Sequence, residues 1–162
     1  MSPLTSREPG VVGAFLSNDS SYVSVIVDGH HAHFSSIGVA WRAKPSGRCL
    51  LVTDAMPPVG GAGEGYVLGP FDVTVADGKC VTADGTLAGS ALDMATAVRN
   101  CVQRVGIPKD EALRMASTYV ADYLGVGNWL GRLEPGYRSN LVVFDNEINV
   151  RSIVRDGVHI EN

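Results

Sequence analysis

Residues 22–33 read Tyr-Val-Ser-Val-Ile-Val-Asp-Gly-His-His-Ala-His, and residues 50–58 read Leu-Leu-Val-Thr-Asp-Ala-Met-Pro-Pro. Each stretch is a short, β-branched, apolar run that passes directly into polar residues. Tyr22–Val27 and Leu50–Thr53 suit parallel strands buried on both faces. Between them Ser35–Lys44 reads as a helix, with Ile37, Ala40 and Trp41 on one side and Pro45 as its stop. Strand, helix and strand in this order make a βαβ unit and an α/β fold class. Asp28, His30, His31 and His33 follow the first strand, and Asp54 follows the second. Polar groups therefore gather where two parallel strands end, the end that carries the active site in α/β barrels.

Further along, the pattern changes. Phe71–Val75 and Lys79–Thr82 alternate with period two around Asp77-Gly78, a hairpin signature. Asp84-Gly85 ends the second of these strands. Ser90 is expected to cap a helix, with Asp93 as the capping-box acid. Met94, Val98, Cys101, Val102 and Val105 form its apolar stripe, and Gly106 ends it. Pro108 opens another helix, expected to run to Leu124 and stop at Gly125. The tail is β again over Asn140–Phe144, Val150–Val154 and Val158–Ile160, with a turn at Asp156-Gly157. The shift in composition at Gly131–Gly136 marks a boundary, giving an α/β part over 1–130 and a small β part over 131–162.

Composition limits the function classes. The chain has 162 residues, 45% hydrophobic and 19% charged, with a net charge of −4. Such a chain forms a core and is not globally disordered. No apolar run is long enough for a membrane helix, and residues 1–20 lack the apolar core of a secretory signal. A pI near 5.5 without a Lys/Arg cluster argues against nucleic acid as a partner. Cys49, Cys80 and Cys101 are odd in number and lack CxxC spacing. They read as reduced core thiols of a cytoplasmic protein. Two readings of the histidines stand at this level. His31 and His33 form a His-x-His that could hold a metal, but metal sites need three or four convergent donors. The alternative is a polar loop bordering a ligand.

Five blocks occur in order: Arg7-Glu-Pro-Gly10, Asp28-Gly-His-His31, Leu51-Val-Thr-Asp-Ala55, Asp84-Gly-Thr-Leu-Ala-Gly-Ser90 and Ala97-Val-Arg-Asn100. With them the whole chain resembles the C-terminal part of the N-acetylglucosamine-6-phosphate deacetylase family of metal-dependent amidohydrolases. The resemblance implies a C-terminal fragment of a (β/α)8 TIM barrel, its last two strands and helices, plus part of a small β-sandwich domain. It implies deacetylation of N-acetylglucosamine 6-phosphate to glucosamine 6-phosphate and acetate, in amino-sugar catabolism.

By the same resemblance Asp54 is the catalytic carboxylate, taking a proton from water and passing it to the departing amine. Its plain alternative is a cap on the turn before Pro57-Pro58. His31 would contact substrate, with Asp28, Gly29 and His30 forming the loop around it; His33 is expected to be a solvated loop position. Arg7 would grip the 6-phosphate bidentately in a neighbouring subunit, implying a homodimer; alone it reads as a surface partner of Glu8. Leu87, Ala88 and Gly89 would line the sugar pocket. The divalent metal (zinc, iron or manganese) would be held by residues upstream of Met1, so no metal ligand is assigned in this chain, and the 162 residues alone are expected to be inactive. Val120, where the family commonly has proline, is expected to matter only at a helix junction. Two other functions stay open: a non-catalytic remnant that binds sugar phosphate or pairs with a complementary chain, and a dihydroorotase-like ring opener, which Arg7 and Leu87–Gly89 disfavour.

Overall fold

The computed structural model describes residues 1–61, 63 and 65–161, the side chain of Glu161 excepted. A short helix α1 (Gly10–Ser17) leads into strand β1 (Val23–Ile26), helix α2 (Phe34–Ala43) and strand β2 (Cys49–Val52). β1 and β2 pair in parallel, with Val23 opposite Cys49 and Ile26 opposite Val52. The βαβ unit is thus present, with β1 one residue shorter at each end than its apolar run and β2 shifted one residue towards the N-terminus. The expectation of two-sided burial holds for β2, where Cys49, Leu50 and Leu51 are buried. It fails for β1, which is half-buried and exposes Ser24. The difference lies in what covers them: the helices over Met94–Asn100, Lys109–Ala116 and Thr118–Tyr123 pack against β2, whereas β1 has β2 as its main neighbour among the described residues.

A four-stranded antiparallel sheet follows, β3 (Gly65–Leu68), β4 (Phe71–Ala76), β5 (Lys79–Thr82) and β6 (Leu87–Ser90), in that order. The β4–β5 hairpin turns at Asp77 and Gly78, both with positive φ, as an Asp-Gly turn of this hand requires. β3 and β6 are strands that the sequence pattern did not mark. β6 also corrects the reading of Ser90. This residue is extended, paired with Lys79 and bridged to Ala55, and it does not cap the next helix. The cap is Asp93, whose carboxylate accepts from the backbone N–H and hydroxyl of Thr96 at 2.8 and 2.7 Å.

Helix α3 (Met94–Asn100) passes into a π turn over Cys101–Val105, which Gly106 ends in the left-handed region. The single helix expected from Pro108 to Leu124 is two, α4 (Lys109–Ala116) and α5 (Thr118–Tyr123). Ser117 breaks it at φ −137°, its hydroxyl turned back to donate to the Leu113 carbonyl. The tail forms an antiparallel sheet of β7 (Leu141–Phe144), β8 (Val150–Arg155) and β9 (Val158–Glu161). One core joins the parallel pair, the helices and the tail sheet: Val27, Ile37, Leu51, Leu92, Val98, Cys101, Ile107, Met115 and Ile148 pack together, with Phe144 against them. All three cysteines are free and buried. No helix among the described residues is long and apolar enough to cross a membrane.

Candidate active site

The site is built where β1 and β2 end. After Val27 the chain turns at Asp28, whose side chain is only 5% exposed. One carboxylate oxygen of Asp28 accepts the backbone N–H groups of His30 and His31 at 2.8 and 3.0 Å. The other lies 2.6 Å from Nδ1 of His31. Burial alone would raise the Asp28 pKa, but these donors outweigh it and hold the carboxyl below its ordinary range. An ionised Asp28 accepts from Nδ1–H, so Nε2 is the nitrogen of His31 left to face outward. It faces Asp54, with Nε2 3.7 Å from a carboxylate oxygen. Asp28, His31 and Asp54 thus form one line of polar side chains across the two strand ends.

Asp54 itself sits at φ 55°, a left-handed conformation that Asp tolerates better than most residues. Its side chain is half exposed, so the carboxylate is open to a ligand. The strand β6 comes up beside it. Gly89, at φ +105°, lies against it so closely that a Cβ there would collide with the Met56 side chain and stand 3.2 Å from the Asp54 carbonyl. Ala88 is partly buried; its carbonyl accepts from the Tyr66 hydroxyl, and Leu87 is exposed on the same strand. Tyr66 was not singled out from the sequence, and no motif carries it.

The other candidates fall in place unequally. Gly29, at φ +81°, is covered by the Phe34 ring, which a Cβ would meet at 2.8 Å; packing already accounts for this glycine. His30 is exposed, its ring reaching the β4–β5 turn at Gly78. His33 is more than a solvated loop residue: it is the N-cap of α2, and its Nδ1 accepts from the Ser35 N–H at 3.1 Å. This occupies one ring nitrogen of the His-x-His pair. Arg7 is exposed in the N-terminal segment and makes neither an ion pair nor a side-chain hydrogen bond among the described residues, so the pairing with Glu8 is not formed.

Among the described residues no group of three or more His, Cys, Asp or Glu side chains is placed to hold an ion. Asp54 and His31 converge, but Nδ1 of His31 is taken by Asp28, leaving two donors. The residues present do not fit a metal centre on their own.

What this arrangement can do is move a proton. It offers an accessible carboxylate, an imidazole of fixed orientation beside it, and a small-residue strand against which a ligand can lie.

Comparison with known proteins bears on this geometry. The model of the amidohydrolase family matches residues 48–159. A putative N-acetylgalactosamine-6-phosphate deacetylase of Escherichia coli K12 is 39% identical over 97% of this chain and 93% of its own length. The N-acetylglucosamine-6-phosphate deacetylase of Vibrio furnissii is 38% identical, over 93% of this chain but only 37% of its own length. Among solved structures, that of N-acetylglucosamine-6-phosphate deacetylase from Pasteurella multocida superposes with a TM-score of 0.94 at 40% identity. It covers all of this chain and 42% of that one. The chain therefore spans well under half of these larger relatives, while the Escherichia coli K12 protein is of similar length.

Proposed function

The chain belongs to the amidohydrolase family, and we propose that it carries the proton-transfer part of an active site that removes the acetyl group from N-acetylglucosamine 6-phosphate, releasing glucosamine 6-phosphate and acetate. The observation that carries this reading is the Asp28–His31–Asp54 line at the two strand ends. Asp54 takes a proton from the water whose oxygen attacks the acetyl carbonyl carbon. The tetrahedral intermediate then collapses, and Asp54 returns the proton to the amine nitrogen as the C–N bond breaks. His31, oriented by Asp28, meets a sugar hydroxyl or phosphate oxygen through Nε2. Leu87, Ala88 and Gly89 line the sugar pocket, with Gly29 and His30 in the surrounding loop.

Arg7 binds the 6-phosphate in the site of a neighbouring copy, so that the working protein is a cytoplasmic homodimer. Its exposure, with no ion-pair partner among the described residues, suits that role. Amidohydrolases are in general metal-dependent; zinc, iron or manganese would be held by residues outside this chain. In this reading β1 and β2 are the last two strands of a (β/α)8 barrel, residues 1–130 are its part of the chain, and 131–162 supply strands of a small β domain. The high TM-score to a longer deacetylase supports this placement.

A second substrate has specific support. Relatives at 39% identity are named N-acetylgalactosamine-6-phosphate deacetylases, so the C4 epimer belongs in the same assay.

The test is acetate release by residues 1–162 fused behind the N-terminal remainder of the Pasteurella multocida relative, offered each sugar phosphate with added zinc, iron or manganese. Turnover of N-acetylglucosamine 6-phosphate supports the reading. A folded fusion that turns over neither sugar overturns it.

A further inference from the structure

Two of the sequence blocks end in residues that the proposed chemistry does not use, Ser90 and Asn100. Both meet the site from behind. The Asn100 side-chain amide donates to the carbonyl of Val27, the residue just ahead of Asp28, at 2.8 Å. The Ser90 hydroxyl donates to the carbonyl of Thr53, the residue just ahead of Asp54, at 2.6 Å. The same hydroxyl accepts the Leu92 N–H at 3.1 Å, which fixes where its proton points. Ser90 also holds the main chain on the far side of the carboxylate. Its N–H donates to the Asp54 carbonyl at 2.9 Å, and its own carbonyl accepts from the Met56 N–H at 3.0 Å. Asp54 is thus bracketed by one fully buried residue while its backbone sits in the left-handed region.

We infer that Ser90 and Asn100 are positioning residues, a matched pair of donors that clamp the two strand-end carbonyls and so fix Asp54 opposite Nε2 of His31. This rests on the proton-transfer role proposed for Asp54 but is measurable without turnover. The physical case is one of unsatisfied freedom. A left-handed non-glycine residue persists only when its surroundings over-determine it. A strand end with a free carbonyl can rotate its peptide, and rotation of either peptide swings a carboxylate. Asn100 reaches Val27 from the junction where α3 widens into its π turn, which sets the side chain on the β1 side of the helix.

The test uses the full chain with ring-labelled histidine, following the His31 ring signals by NMR at one fixed pH. Asp28 and Asp54 are the carboxylates facing His31. In the parent, Asp54→Asn should displace the His31 ring signals, because the group facing Nε2 has changed. In Ser90→Ala and in Asn100→Ala the same substitution should displace them by less than half as much. Thermal melting identifies variants that are folded at the measuring temperature. Should an alanine variant be unfolded, Ser90→Cys or Asn100→Leu, which roughly keep the volume and weaken or remove the donor, is read in its place. An undiminished Asp54→Asn displacement in a folded variant overturns the clamp. Failure of the fused enzyme to release acetate would instead count against the proposed reaction and leave this coupling untouched.

Discussion

Nε2 of His31 lies 3.7 Å from a carboxylate oxygen of Asp54. That separation leaves no direct hydrogen bond, so both groups have room to engage a ligand. On the other side of the ring the contact to Asp28 is short, at 2.6 Å. The imidazole is thus held by one acid and presented to another.

Asp28→Asn should release that hold. An ionised carboxylate is replaced by an amide that no longer selects the Nδ1–H tautomer, and the ring nitrogen shifts of His31 should report a mixture of tautomers. The acid response should change as well. Asp28 has a folded pKa below its ordinary 3.8. Its contribution to stability is therefore full above 3.8 and is lost as pH falls through the lower folded value. The Asn variant should be less stable at neutral pH and show a flatter loss of stability in acid, as followed by urea melts across pH.

Gly89→Ala tests how closely β6 must approach the site. The new Cβ would sit at φ +105°, 2.8 Å from the Met56 sulfur. Strain plus overpacking should cost roughly 1–3 kcal/mol in denaturant melts. A neutral result would mean that β6 is free to move away from Asp54.

Much of this was legible in the sequence. The two apolar runs ending in Asp28 and Asp54 marked both the parallel pair and the polar cluster, because burial and strand ends leave a strong local signal. The Asp-Gly turns at Asp77 and Asp156 were legible for the same reason, since left-handed turn positions select those residues. β3 and β6 were not legible: Leu87-Ala-Gly-Ser90 has no period-two pattern, and its pairing comes from β5 and from the Asp54 segment. Ser90 reads as a cap because Ser followed three residues later by Asp satisfies the local rule, while the tertiary contacts to Thr53 and Asp54 that claim it are remote in sequence. Asn100 stands out only as the end of a sequence block with no role attached, and Tyr66 gives no local signal at all. Their roles depend on partners 73 and 22 residues away.

Arg7→Ala, made in the fused enzyme, should separate phosphate binding from chemistry. Loss of a charge-assisted bidentate contact costs ~1.5–3 kcal/mol, or about 10- to 150-fold in kcat/KM for the 6-phosphorylated sugar. The unphosphorylated sugar should be affected far less. Equal losses on both would make Arg7 a structural residue.

The cysteines offer a check on the core. Burial pushes the thiols of Cys49 and Cys101 up to about 12, and burial likewise raises that of Cys80. Because the thiolate is the reactive form, all three should resist alkylation in the native chain at mildly alkaline pH and react promptly once it is unfolded. Rapid native labelling of Cys49 or Cys101 would show that the packing around Leu51 and Met115 is not as described.

The central claim is that Asp54 carries the proton. Its most direct measurement is acetate release by the fused enzyme with and without Asp54→Asn, each at saturating N-acetylglucosamine 6-phosphate and with metal content determined alongside. Asn keeps the shape and cannot accept a proton, so kcat should fall by about 10²–10⁴-fold while metal content stays nearly unchanged. An Asp54→Asn enzyme that turns over at close to the parent rate would contradict the assignment outright.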